Sequence, residues 1–177
     1  MSGNMNKPGR DESQARPVLP AGLLVAGRPC LVVGGGAIGA RKVGHLLDAA
    51  ADVTVVSPRV TDALRDLAAN GRIRLELRAF ADGDVEGQYL VFAVTDSRHV
   101  NHRIIECCRA HGVLCSAADE NWPEGDFITP AITRHGGVVV TVSTGGRSCR
   151  LARVIKDRLA ELIAAIVAKE ESEQSED

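Results

Sequence analysis

The sequence predicts an α/β fold, in which a parallel sheet carries helices on both faces and is followed by a small strand pair and a C-terminal helix. Three observations predict this class. Short, continuous apolar runs, typical of strands covered on both faces, alternate with segments of helical length. A glycine-rich turn joins the first run to the first helix. After residue 116, two further apolar runs follow one another with no helix between them.

Composition narrows the class of protein. The 177 residues, 45% hydrophobic and 25% charged, suffice for one domain with a real core and exclude a disordered chain. No apolar run approaches the roughly 20 residues of a membrane helix, so no membrane partner is expected. A net charge of −2 and five aromatic residues argue against nucleic-acid binding. Five cysteines without CxxC spacing favour free thiols in a reducing cytoplasm, and no metal site is predicted.

Each apolar run in the first part of the chain is predicted to be a strand of the parallel sheet. The run Ile73–Leu77 alternates apolar and polar residues, so we expect it near an edge. The other runs are apolar throughout, which is typical of central strands. Between them, helices are predicted at about 37–50, 61–70 and 98–111. The strands are predicted at Pro29–Val33, Val53–Ser57, Ile73–Leu77, Tyr89–Val94 and Val113–Ser116.

The strand pair is predicted from the runs Phe127–Thr133 and Val138–Ser143, which are joined at His135-Gly136-Gly137. Such a pair is a hairpin or a crossing pair. It serves either as a subunit-pairing element or as an antiparallel edge of the main sheet, and the sequence leaves both open. Ser148 then begins a helix that is predicted to reach about Ala168.

The two ends of the chain are predicted to lack regular structure. Residues 1–18 show no periodicity and form a loose arm. Residues 169–177 carry five acidic side chains against Lys169, so we expect a solvated acidic tail.

The glycine-rich turn has G-x-G-x-x-G spacing on Gly34, Gly36 and Gly39, with Gly35 inside it. Gly34 permits the sharp turn after the strand, Gly36 lets main-chain amides approach a pyrophosphate, and Gly39 allows the helix to pack closely on the sheet. The pyrophosphate then lies at the positive end of the helix dipole. At the junction of the first strand and helix, this spacing predicts a Rossmann-type dinucleotide site.

The acidic residue expected for the adenosine ribose, about 20 residues further on, is missing. The end of the second strand holds Ser57, Pro58 and Arg59 instead, which suits either NADP or NAD without the bidentate ribose contact. At the end of the fourth strand, Thr95 and Asp96 are expected to border the cofactor, with Asn101 on the next helix. Asp96 as the N-cap of that helix is an equal alternative.

Asp119 follows the fifth strand at the same edge of the sheet. A carboxylate there is placed to remove a proton while a nicotinamide takes a hydride, although Glu120, Glu124 and Asp126 are competitors. A second glycine-containing loop, 143–148, offers hydroxyls to an anionic ligand. The helix beyond it carries a basic stripe that either attracts an acidic substrate or is a solvated face, on Arg147, Arg150, Arg153 and Lys156.

Five motifs in collinear order, within about Leu19 to Ile163, give the chain a family likeness. It resembles the precorrin-2 dehydrogenases, which form the dehydrogenase and ferrochelatase portion of siroheme synthases. The motifs are Val32–Lys42, Ala93–Asp96 with Asn101, Cys115–Asp119, Phe127–Pro130, and Val142–Gly146 followed by Leu151–Arg153.

The resemblance implies NAD-dependent oxidation of precorrin-2, a tetrapyrrole with eight carboxylates, to sirohydrochlorin by a homodimer. It puts the catalytic aspartate on Asp119 and further cofactor contacts on Ala37, Ile38, Pro58 and Arg59, and it favours NAD. The family's loop serine falls on Thr144, which keeps the hydroxyl. Substrate anchors are then expected at Thr144, Gly145, Gly146, Arg147, Arg150 and Arg153.

Two departures bear on the activity. Cys149 stands where the family usually has proline, and the chain ends after one C-terminal helix where longer relatives continue. The second departure makes insertion of iron or cobalt into sirohydrochlorin an alternative rather than an expectation. A non-catalytic NAD(H)-sensing domain is the alternative of another class. The expected organisation is an arm at 1–18, a cofactor domain at 19–118, a dimerisation strand pair at 119–147, a helix at 148–168 and a tail at 169–177.

Overall fold

The computed structural model describes residues 17–119 and 122–174, with side chains described as far as Glu170. Most of the predicted arm, the competitor Glu120 and the last residues of the predicted tail lie outside the described residues. The chain divides into two compact units, and the division falls between Ile128 and Thr129. We call Gly22–Ile128 the sheet unit and the part from Thr129 onward the C-terminal unit.

The sheet unit contains five parallel strands in the order β3-β2-β1-β4-β5. This is the doubly wound order of dinucleotide-binding sheets, and it confirms the predicted fold class. The strand predicted to lie at an edge does so as β3. The strands are β1 Pro29–Gly35, β2 Asp52–Val60, β3 Arg74–Glu76, β4 Leu90–Ala93 and β5 Leu114–Ala117. The helices are α1 Ala37–Leu47, α2 Asp62–Ala69 and α3 Arg98–His111.

Both faces of the sheet are buried, because successive side chains of each strand point to opposite faces. Cys30 and Val32 of β1 belong to the core on the side of α1 and α2. Leu31 and Val33 belong to the core on the side of α3. Burial raises the pKa of Cys30 to about 11, with a smaller contribution from Asp52, so this thiol is a neutral core side chain.

The C-terminal unit contains a separate two-stranded sheet and one long helix. Strands β6 Ala131–His135 and β7 Val138–Val142 are antiparallel, and α4 spans Cys149–Gln174. Gly136 and Gly137 form the two-residue turn with φ of 50° and 77°, as the tight hairpins that match strand twist require. The hairpin prediction is confirmed, and since β6 and β7 pair only with each other among the described strands, they are not an edge of the main sheet.

Three predicted boundaries differ from the structure. The first strand of the pair begins at Ala131 rather than at Phe127, because Pro130 has no N–H for a ladder and the Phe127 ring packs on Phe92 of the sheet unit at 5.5 Å. The last helix continues past Ala168 to Gln174, since the lysine and glutamates that follow are good helix formers. The unit boundary lies ten residues later than the predicted one at 118.

The packing of α1 on the sheet predicts opposite effects for two substitutions in the same helix. A Cβ at Gly39 would lie 2.1 Å from the Gly34 carbonyl oxygen, whereas a Cβ at Gly44 would meet nothing within 4 Å. Gly39→Ala should therefore lower the free energy of unfolding by about 1–3 kcal/mol. Gly44→Ala should raise it by about 0.5–1 kcal/mol, because alanine restricts the unfolded chain. Urea unfolding followed by circular dichroism measures both, and equal effects would contradict the packing described.

Candidate functional site

A cavity of about 520 Å³ lies in the sheet unit, at the carboxyl ends of β1, β2 and β4. Ligands of open α/β sheets bind in this crevice. Most of its lining follows directly after these three strands, with a further contribution from the segment after β3 and from α3. The lining residues are Val33, Gly34, Gly35, Gly36, Val56, Ser57, Pro58, Arg59, Val60, Thr61, Ala79, Phe80, Val94, Thr95, Asp96, Ser97, Val100 and Arg103.

The glycine turn is wedged between the ends of the neighbouring strands. Gly34 has φ of +125°, and a Cβ there would lie 2.4 Å from the Val94 carbonyl oxygen. A Cβ at Gly35 would lie 2.3 Å from the Arg59 carbonyl oxygen. Side chains are therefore excluded on both sides of the turn, and the main chain itself forms the wall of the cavity.

Gly36 provides an open anion site above the first turn of α1. It is the N-cap residue, has no side-chain cap, and a Cβ there would meet nothing within 4 Å. The first turn of α1 contains no acidic residue. The free amides and the positive end of the helix dipole thus face open space, which fits a pyrophosphate.

The predicted loop residues separate into two groups. Gly34, Gly35 and Gly36 line the cavity. Ala37, Ile38 and Gly39 do not, because they already belong to α1: the Ile38 side chain is 43% exposed, and Gly39 is buried beneath the turn. The contribution of these three residues toward a phosphate is thus restricted to their main-chain amides.

Ser57, Pro58 and Arg59 all line the cavity after β2, as predicted. The Ser57 hydroxyl is 2.7 Å from the Arg59 carbonyl oxygen and donates to it. Its single proton is therefore used within the turn. Sequence analysis missed Thr61, whose hydroxyl is buried and has no hydrogen-bond partner among residues 17–119 and 122–174.

Thr95 and Asp96 line the cavity after β4. Asp96 is not the N-cap of α3, which was the alternative interpretation. That role belongs to Ser97, whose hydroxyl accepts from the Val100 amide at 3.4 Å. The side chain of Asp96 is exposed, because the helix begins one residue later than this alternative requires.

Asn101 lies behind the cavity rather than in its lining. Its side chain is completely buried, and its amide nitrogen donates to Asp119 Oδ2 at 2.6 Å. Asp119 follows β5, is half-buried, and does not line the cavity either. Since Asn101 also hydrogen-bonds Thr95, the predicted catalytic carboxylate is connected to the cavity through one side chain.

The competing carboxylates close to Asp119 in sequence have structural partners. Glu124 accepts from, or pairs with, the His102 ring at 2.8 Å. Asp126 Oδ2 accepts from the Cys115 amide at 2.8 Å, which fixes the segment after β5 along that strand. These contacts favour Asp119 over Glu124 and Asp126 for a chemical role.

Phe80 and Arg103 line the cavity and were missed from the sequence. Arg103 forms a two-bond pair with Asp82 at 2.7 and 2.8 Å, which ties the segment after β3 to α3. This contact lowers the pKa of Asp82. Helical spacing from Ser97 through Val100 to Arg103 is a signal that identifies Arg103, because residues three apart share one helix face. Nothing in the local sequence marks Phe80.

The second predicted loop lies in the C-terminal unit and is closed by its own hydrogen bonds. The Thr144 hydroxyl accepts from the Ser148 amide at 2.9 Å and donates to the Ser148 carbonyl at 3.1 Å. Gly145 and Gly146 turn the chain with φ of 61° and 82°. Ser148 caps α4 by accepting from the Leu151 amide at 3.1 Å. The Thr144 hydroxyl therefore stabilises the loop.

The predicted basic stripe is reduced to its arginines. Arg147, Arg150 and Arg153 are exposed. Lys156 is partly buried and forms an ion pair with Asp157, so it does not continue the stripe as a free cation. Sequence spacing did not reveal this pair, because adjacent helix residues do not normally face each other.

Within the described ranges, no group of three or more His, Cys, Asp or Glu side chains is arranged to hold a metal ion. None of the described helices has the length and apolar character needed to span a membrane.

Comparison with known proteins assigns families to both units. A protein-family model described as "Putative NAD(P)-binding" matches residues 23–131, and one described as "Sirohaem biosynthesis protein central" matches residues 138–162. The first match covers the sheet unit with its cavity, so the nicotinamide cofactor predicted from the glycine turn is supported independently.

Relatives and a solved structure agree with these matches. The chain is 40% identical over 146 residues to siroheme synthase of Nitrosococcus oceani, covering 82% of this chain and 31% of that protein. It is 43% identical over 142 residues to siroheme synthase of Methylococcus capsulatus, covering 80% and 30%. The chain thus spans about a third of the length of these relatives. The solved structure of SirC, precorrin-2 dehydrogenase, superposes with a TM-score of 0.72 at 27% identity, covering 81% of this chain and 70% of that one.

The open space at Gly36 predicts a variant that separates folding from cofactor binding. Gly36→Ser adds a side chain where the phosphates are expected, at an N-cap position that serine favours. The free energy of unfolding should stay equal or rise by about 0.3 kcal/mol. The dissociation constant of NADH should rise at least about tenfold, measured by fluorescence titration. Undiminished NADH affinity in the folded variant would contradict a phosphate site at Gly36.

Proposed function

Because this chain belongs to the NAD(P)-binding family of sirohaem biosynthesis proteins, we propose that it oxidises precorrin-2 to sirohydrochlorin with NAD. One observation carries the proposal: a carboxylate, Asp119, is held by Asn101 at the carboxyl edge of the same sheet whose glycine turn forms a dinucleotide cavity. A cavity without such a carboxylate would support binding but not proton removal.

The reaction removes one hydride and one proton from the substrate. The nicotinamide, when bound, accepts the hydride. In our proposal Asp119 accepts the proton, since a carboxylate within hydrogen-bond reach of the substrate acts as a general base. The glycine turn binds the pyrophosphate through its amides, and Thr95 and Asp96 border the other end of the cofactor.

We propose NAD rather than NADP as the cofactor, together with the contacts at Ser57, Pro58 and Arg59. The Ser57 hydroxyl donates its proton to the Arg59 carbonyl, so it has no proton left for a 2′-phosphate. Arg59 is exposed and is the cation that would favour NADP. Comparison of kcat/KM for the two cofactors distinguishes them, and a preference for NADP would overturn this choice.

For the substrate, we propose that the carboxylates of precorrin-2 bind the loop and the arginines of the C-terminal unit. Arginines recognise carboxylates through paired N–H donors, and the exposed Arg147, Arg150 and Arg153 offer three such groups. Thr144, Gly145 and Gly146 support the proposal through a loop that is already ordered by its hydrogen bonds. Substitution of Arg150 and Arg153 by alanine should raise KM for precorrin-2 more than it lowers kcat.

We also propose a homodimer that forms through the C-terminal unit, and a cytoplasmic location consistent with five free thiols. Four apolar side chains of α4 are exposed along one helix face, at positions 151, 155, 162 and 166. An exposed apolar surface of this kind is typical of an interface. Light scattering measures the molar mass, and Leu162→Glu should shift a dimer toward monomer. A wild-type monomer would exclude the homodimer.

Two alternatives make different predictions. An enzyme that also inserts iron or cobalt into sirohydrochlorin should give a metal-dependent spectral change without NAD. A regulatory NAD(H)-binding domain should bind NADH tightly without oxidising or binding a tetrapyrrole. No observation in the described residues favours either over dehydrogenation.

The role of Asp119 predicts the effect of a neutral replacement. Asp119→Asn keeps the size of the side chain but cannot take a proton, so kcat should fall by at least about 100-fold. Anaerobic turnover of precorrin-2 with NAD, followed by NADH absorbance, measures this rate. NADH binding and the unfolding midpoint should change little and serve as controls for folding. An undiminished rate would remove Asp119 from the reaction, and absence of NADH formation by the wild type would refute the function.

A further inference from the structure

Asn101 is a fully buried polar side chain whose hydrogen bonds all lead to two places. It lies on the second turn of α3, with no exposed area. Its oxygen accepts from the Thr95 amide at 3.0 Å and from the Thr95 hydroxyl at 2.8 Å. Its nitrogen donates to the Thr95 carbonyl at 3.0 Å and to Asp119 Oδ2 at 2.6 Å. Both donors and both acceptor positions of the amide are therefore used.

The main chain of Thr95 determines which way this amide faces. A peptide N–H only donates, and a peptide carbonyl only accepts. The oxygen of Asn101 must therefore lie against the Thr95 N–H, and the NH₂ group against the Thr95 carbonyl. The reverse orientation would place two donors and two acceptors against each other. Consequently the group that Asn101 presents to Asp119 is an N–H donor, and Asp119 Oδ2 is held as an acceptor.

We propose that Asn101 is a positioning residue for Asp119, which fixes the plane of its carboxylate, favours its ionised form and links it to the cofactor cavity through Thr95. This inference rests on the proposed function, in which Asp119 accepts a proton. A short hydrogen bond from a buried donor stabilises the charged form of a carboxylate relative to the neutral form. A base that must be ionised before each turnover benefits from this arrangement.

The link through Thr95 extends the effect to the cofactor. Thr95 lines the cavity, and Asn101 holds the main chain of Thr95 on both sides of its peptide groups. Thr95 and Asp119 follow neighbouring strands, β4 and β5. One amide therefore sets the spacing between the edge of the cavity and the base, and supporting groups of this kind control how well a reacting group is aligned.

Charged groups on the elements around Asp119 define the background of any pH dependence. These are Asp96 after β4, Arg98, His99, His102 and Glu106 on α3, and Glu124 and Asp126 after β5. His102 and Glu124 are paired with each other, and Asp126 is bonded to the main chain of β5. Asn101 itself is uncharged, so its replacement by aspartate introduces one new titrating group at a defined contact.

Asn101→Asp is the decisive substitution because it preserves shape and reverses one hydrogen bond. The new carboxylate can still accept from the Thr95 amide, but its other oxygen faces Asp119 Oδ2. Two carboxylates at this distance share a proton. The acidic limb of the pH–rate profile should shift upward by at least about one pH unit, which is a tenfold change in proton affinity. At the optimum pH, kcat should fall at least about tenfold, while KM for NAD changes less than about threefold.

Asn70→Asp is the matched control. Asn70 is exposed at the end of α2, where its side chain bonds the Asp66 carbonyl at 2.8 Å. The same substitution there adds the same charge far from the reacting groups, and it should leave the pH–rate profile unchanged. If Asn101→Asp moves the profile no more than Asn70→Asp does, Asn101 has only a structural role and the proposal is overturned.

A measurement without substrate separates this inference from the proposed function. Carboxyl carbon NMR of the protein follows the titration of Asp119, with the signal identified by its loss in Asp119→Asn. The titration midpoint should rise by at least about one unit in Asn101→Asp and also rise in Asn101→Ser, whose shorter side chain cannot reach Asp119. Asn101→Ser supplies the result if the aspartate variant fails to fold. An unchanged midpoint overturns the inference, whereas a raised midpoint in a protein that does not oxidise precorrin-2 refutes only the function.

Discussion

The fold and the site depend on the close approach of the β1–α1 turn to the ends of β2 and β4. At Gly34 and Gly35 the main chain lies so near to the Val94 and Arg59 carbonyls that any side chain would overlap with them. Three strand ends therefore converge without side chains between them. Their convergence leaves the cavity, and it directs the start of α1 at the space that a pyrophosphate would fill. The order of the sheet places β5, and with it Asp119, beside this point.

Polar side chains are buried in the sheet unit at very few positions, and these are concentrated near the carboxyl edge. Ser57 and Ser116 lie near the ends of β2 and β5, and Asn101 lies between the ends of β4 and β5. Burying a polar group costs free energy unless it is fully hydrogen-bonded. The rest of the core consists of Val, Leu, Ile, Ala and Cys, so the sequence admits this cost mainly where the chemistry is proposed.

Much of the fold could be predicted from the sequence, because the features that determine it are local. Apolar runs, helix-length spacers and the glycine spacing identified the five strands and the turn. What could not be predicted depends on tertiary contacts. Nothing local shows that Asn101 faces Asp119, that the Thr144 hydroxyl is used by Ser148, or that Lys156 pairs with Asp157. The start of β6 was misplaced for the same reason, since Phe127 is apolar because it packs on Phe92 and not because it belongs to a strand.

Both margins of the parallel sheet are protected against the addition of further strands. The outer strand β3 has only three residues, and two of them are the charged Arg74 and Glu76. At the opposite margin, the Asp126 side chain and main chain bond both the N–H and the C=O of Cys115 at 2.8 Å. Few main-chain donors and acceptors are thus left for a foreign strand, which limits aggregation through sheet extension. Self-association of this protein is consequently directed to surfaces recognised by side chains.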